Sequence, residues 1–88
     1  MWKVVFEEKA LKLLSKLDKT VQKQILKYLN RDSFLKNPKS FGKALLYEKR
    51  GNWRFRVGDY RVICRLEERQ LIVLVLDLGH RREIYKKS

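Results

Sequence analysis

A chain of 88 residues that is 44% hydrophobic has the material for one small domain with a single modest core, and too much apolar content for a disordered segment. Its 22 Lys and Arg outnumber 10 Asp and Glu, leaving a formal charge of +12 that calls for a polyanionic partner, nucleic acid before a membrane surface. No apolar run approaches the roughly 20 residues that span a bilayer, and one cysteine excludes an internal disulfide or a Cys-based metal cluster.

Residues 2–6 alternate weakly and predict a short strand, with no sign of a signal peptide. From Glu7 the period changes. Ala10, Leu13, Leu14 and Leu17 follow the i, i+3, i+4, i+7 spacing of an amphipathic helix with acidic residues in its first turn. The stretch Asp18-Lys19-Thr20 interrupts it, and either Asp18 or Thr20 can cap a second helix whose stripe is Val21, Ile25, Tyr28 and Leu29. So short a break implies an antiparallel helical hairpin, both stripes packed on a common partner. Lysines at positions 9, 12, 16, 19, 23 and 27 then form a solvated face that adds long-range attraction to RNA.

Residues 30–40 read as a connection, closed by Asn37-Pro38. A strand is expected over residues 44–48, a turn over 49–52, then the segment that carries most of the information. Residues 53–65 alternate apolar and basic side chains on both sides of Gly58-Asp59. A two-residue hairpin loop there sets Val57 against Tyr60, Phe55 against Val62 and Trp53 against Cys64. The opposite face carries Arg54, Arg56 and Arg61, with Arg56 directly across from Arg61. Like charges so opposed are destabilising, and Asp59 is the only acid in the hairpin. A phosphate met in function is the counter-charge that such a face fits. Trp53, Phe55 and Tyr60 fall on the apolar side and read as core, not as stacking platforms, and Cys64 reads as a small buried hydrophobe. Tyr47 is open between the two roles.

After a turn at residues 67–70, residues 71–78 are almost unbroken in their apolarity, as in a central strand covered on both faces. The expected fold is α+β: one domain over residues 1–88, a small antiparallel sheet with the N-terminal helical hairpin on one face and basic side chains on the other, that second face partly covered by the end of the chain.

Three segments carry a family resemblance: Asn37-Pro38 through Gly42-Lys43-Ala44-Leu45, the alternating run from Trp53 to Val62, and Leu78-Gly79-His80-Arg81-Arg82-Glu83-Ile84-Tyr85. In order and spacing they resemble the RelE/ParE superfamily of toxins, and the RelE branch more than the ParE branch. The resemblance implies a RelE-like fold in a cytoplasmic toxin that enters the ribosomal A site and cuts messenger RNA. The 2′-hydroxyl would attack the adjacent phosphate, leaving a 2′,3′-cyclic phosphate, with no metal or other cofactor. Such chemistry needs a stabilised dianionic phosphorane, a base and an acid. Carried over by position, Arg61 and Arg81 match phosphate-binding arginines, and Tyr85 a tyrosine that acts as base or orients the nucleophile. Arg54 and Arg56 replace a basic pair that is lysine in the best-known members. A guanidinium clamps phosphate well but stays protonated, so His80 becomes the candidate acid or base. Lys43, Arg65 and Arg82 complete the expected substrate-binding set. The implied partners are messenger RNA, ribosomal RNA and a RelB-like antitoxin, with the toxin monomeric alone and hetero-oligomeric with its antitoxin. Two readings stand beside this one: a ParE-like inhibitor of gyrase, and a non-catalytic basic RNA-binding protein.

Overall fold

In the computed structural model, residues 1–46 and 51–80 are described. The chain runs β1 (Lys3–Phe6), α1 (Glu8–Ser15), α2 (Lys19–Leu29), α3 (Asp32–Lys36), a 3-10 turn (Pro38–Phe41), β2 (Gly42–Ala44), β3 (Asn52–Val57), β4 (Tyr60–Glu67) and β5 (Ile72–His80). The sheet order is β1-β5-β4-β3-β2. As its two-sided apolarity predicts, β5 lies inside the sheet, between β1 and β4.

Both helical stripes face the sheet. Ala10 and Leu14 of α1 and Ile25 and Leu29 of α2 are buried against Phe55, Val57, Val62, Cys64, Val73, Val75 and Leu78. Helix α1 lies over β5, and α2 meets β3. Asp18 is the residue at the α2 N-cap, though its side chain makes no capping bond; its carbonyl accepts the Gln22 N–H at 2.9 Å.

Three details depart from the expected architecture. First, β1 pairs with β5 in parallel, Phe6 beside Val75, while the other three pairings are antiparallel. The parallel sense delivers the chain to the start of α1 above β5, where the Glu7 N–H donates to the Val75 carbonyl at 2.9 Å. Second, the expected connection over residues 30–40 is largely ordered. Helix α3 inserts Phe34, fully buried, edge-on against Phe55 with ring centroids 5.1 Å apart, and Pro38 starts the 3-10 turn, where its missing N–H costs nothing. Third, β2 begins at Gly42 and not at Ala44. A Cβ on Gly42 would lie 2.6 Å from Cε1 of Phe55 and 2.9 Å from the Arg54 carbonyl oxygen, so only glycine lets β2 come this close to β3. Strand β2 also ends at Ala44, so of the strand expected over residues 44–48 only Ala44 is strand; Leu45 and Leu46 leave it at a turn, and residues 47–48, Tyr47 included, lie outside the described residues.

The hairpin matches its expected register throughout. Gly58 takes the left-handed φ of +57° that a type II′ turn demands of its first central residue. Val57 faces Tyr60, Phe55 faces Val62, Trp53 faces Cys64, and Arg56 faces Arg61.

Candidate functional site

Strand pairing builds the site from two rows of like charge. Arg56 opposes Arg61 across β3 and β4, and Lys43 opposes Arg54 across β2 and β3. With a period of two, Arg54 and Arg56 share a face of β3, so all four cations stand on the side of the sheet away from the helices. They line a concavity of about 320 Å³ together with Ser40, Phe41 and Gly42. Among the described residues no carboxylate lines it. The salt bridges Lys9–Asp77, Lys12–Glu8, Lys39–Glu68 and Arg65–Glu67 join residues outside that lining.

The four cations differ in exposure. Arg56 and Lys43 are exposed, Arg54 is half-buried, and Arg61 is only 5% exposed. Arg61 is flanked by Arg56 on one side and by Gly79 of β5 on the other. The glycine contributes no side chain, leaving room for the arginine stem to lie down on the sheet. A buried guanidinium between two strands has few rotamers to lose on meeting an anion. Its planar donor fork fits two phosphate oxygens at once.

Two expected members stand apart from this cluster. Arg65 opposes Asn52 at the far end of β3 and β4, and its Nε donates to the Glu67 carboxylate at 2.6 Å. His80 pairs with Tyr60, a helix-side position of β4, and its ring meets the Tyr60 ring edge-on at 5.6 Å. Gly79 holds the position beside Arg61, so one step along the strand turns His80 to the face opposite the arginines. Arg81, Arg82 and Tyr85 lie outside the described residues.

A neighbouring feature was not expected. Arg31, just beyond α2, has its guanidinium 4.2 Å from the Tyr28 ring centroid and 4.9 Å from that of Phe41. Its Nε donates to the Tyr28 carbonyl at 3.3 Å. Burial raises the Tyr28 pKa, and the Arg31 charge opposes the rise, so this hydroxyl stays protonated at neutral pH. Arg31, Tyr28, Lys27 and Gln24 line a second hollow of about 250 Å³ against Arg56, Val57 and Gly58. Arg56 therefore borders both hollows. The i, i+3 spacing of Tyr28 and Arg31 is visible in sequence, but the return of Phe41 to the pair depends on the fold of residues 32–41.

With the site's geometry in hand, comparison with known proteins places the chain. A model of the family described as "ParE toxin of type II toxin-antitoxin system, parDE" matches residues 4–85. The chain belongs to this toxin family. Within the wider RelE/ParE superfamily, the toxin is 33% identical over 52 residues to Toxin RelG of Mycobacterium tuberculosis, a match covering 59% of the chain and 60% of that relative's length. Its fold matches the toxin–antitoxin complex RelBE2 of the same organism at a TM-score of 0.82 and 28% identity, over 91% of this chain and 98% of the other. The isolated Escherichia coli RelE toxin matches at a TM-score of 0.71 and 25% identity, over 99% of this chain and 94% of that one. The RelE-type fold expected from the sequence is thus the observed one.

Proposed function

We propose that this toxin is a ribosome-dependent endoribonuclease that cleaves messenger RNA in the A site, using the groove of Lys43, Arg54, Arg56 and Arg61 to hold the scissile phosphate. The observation that carries this reading is the double row of opposed cations around a hollow lined by no described carboxylate. A folded sheet bears such repulsion best when its site is made for a polyanion. During 2′-hydroxyl attack, a second negative charge develops on the phosphate, and donors already in place stabilise it without reorganising. Arg61, the most buried of the four, is assigned to that charge. Arg54, Arg56 and Lys43 hold the flanking backbone.

Arg81 and Tyr85 join them on the strength of the family resemblance, Arg81 as a second phosphate ligand and Tyr85 at the nucleophile. The helix-side position of His80 against Tyr60 favours Tyr85 over His80 for proton transfer. Arg65, at the far end of β3 and β4, serves as an outlying RNA contact, and Arg82 is assigned to RNA binding by the resemblance. The partner in the resting cell is a RelB-like antitoxin, in keeping with the complexed state of RelBE2, and an acidic segment folding over the groove would silence it. No described helix is long and apolar enough to cross a membrane, and the substrate places the action in the cytoplasm.

The family description names ParE, so a gyrase-directed toxin is the second reading. Purified toxin added to ribosomes programmed with a defined message separates the two. New RNA ends within the A-site codon, bearing a 2′,3′-cyclic phosphate and a 5′-hydroxyl, are expected, and gyrase supercoiling should be untouched. Intact message alongside inhibited gyrase would transfer the toxin to the second class. Salt-sensitive RNA binding with neither effect would leave a non-catalytic binding protein.

A further inference from the structure

The cationic groove has one lining residue that phosphate cannot use. Phe41 is 36% exposed and lines the same hollow as Lys43, Arg54, Arg56 and Arg61. Its ring is held by three neighbours. The Tyr28 ring meets it at 6.4 Å and 82°, the Phe34 ring at 6.1 Å and 45°, and the Arg31 guanidinium sits 4.9 Å from its centroid. Phe34 is itself fully buried, so the support is part of the core. The 3-10 turn ends at Phe41 and β2 starts at the next residue, with Gly42 clamped against Phe55. Phe41 is consequently fixed to the sheet two positions before Lys43.

We infer that Phe41 is a stacking platform for a nucleobase of single-stranded RNA whose phosphate lies among the groove cations. This deepens the proposed function and rests on its reading of the groove as an RNA site. A nucleotide presents a phosphate and a flat apolar ring a short distance apart, and the groove offers four cations and one immobilised aromatic side by side. Unpaired bases stack on protein aromatics with little regard to sequence, and a ring already held in place loses little freedom on binding. Arg31 adds to the platform, since a cation near an aromatic ring is attracted to its π-system and leaves the stack well seated. The competing explanation is that Phe41 merely covers Tyr28 and Arg31, which any bulky apolar side chain would do.

Short oligoribonucleotides carrying 2-aminopurine at each position in turn distinguish these, because that base loses fluorescence when stacked. The wild-type toxin should quench the probe strongly at one position. Phe41→Leu, which keeps bulk but removes the ring, should abolish that quenching and weaken binding about tenfold, whereas Phe41→Tyr should retain both. Arg56→Ala should weaken binding while leaving quenching at saturation intact. Absence of a quenched position in the wild type, or unchanged quenching in Phe41→Leu at an unaltered melting temperature, overturns the proposal. Cleavage on ribosomes is read separately: cleavage without Phe41-dependent quenching sinks the platform alone, and quenching without cleavage sinks the nuclease alone.

Discussion

Cys64 and Arg61, three residues apart on β4, show what strand alternation decides. Cys64 points into the core and is fully buried; burial pushes its thiol pKa well up, because a thiolate there would be stripped of water. A raised folded-state pKa means that the thiol's contribution to stability is complete below the ordinary thiol range. It is lost as pH climbs beyond that range, since the unfolded chain ionises first. Only the thiolate attacks alkylating reagents, so iodoacetamide at about pH 8 should leave native Cys64 unmodified for hours and modify it promptly in denaturant, as followed by intact mass. Prompt modification of the native protein would mean that the β3–β4 face is open. The inward Cys64 and the outward Arg54, Arg56 and Arg61 were legible from alternation alone, because strand period and turn position fix both faces. The facing of His80 is set by its pairing with Tyr60 across the β4–β5 register, which includes a shift at Ile63/Cys64 that no sequence pattern announces. The Arg31–Phe41 contact was equally hidden, because it joins a helix end to a segment with no readable period.

At the scale of elements, the short strand β2 governs the width of the groove. Its first residue, Gly42, touches the buried Phe55 ring, which is braced by Phe34, so the ring has no room to yield to a methyl group. Gly42→Ala should therefore cost about 1–3 kcal/mol as an overpacked contact. That lowers the melting temperature by several degrees in a domain of this size, on the order of 5 °C per kcal/mol. It should also weaken RNA binding by pushing Lys43 away from Arg54. Calorimetry with a parallel binding titration checks both, and an unshifted melt would show that β2 can slide off β3 freely. The two long helices and the hairpin were readable because each repeats its period over several turns or pairs. Helix α3 was not, since five residues give one inward position and no repeat. The parallel sense of β1 was not either, because four residues carry alternation but no direction.

For the whole molecule, the division of labour is between two faces of one sheet. The helix side buries the apolar stripes and supplies stability. The other side gathers four cations around one hollow. In the proposed function, the surplus charge of +12 would draw the toxin toward RNA over a distance set by the salt concentration, and the groove would select the phosphate that is bound. In the proposed cleavage, Arg61 stabilises the charge that develops on that phosphate. Single-turnover cleavage of a ribosome-bound message by Arg61→Met, which keeps the aliphatic stem in its buried slot, tests this most directly. The rate should fall about a hundred- to a thousandfold with the melting temperature held, and a variant that cuts as fast as the wild type would contradict the account.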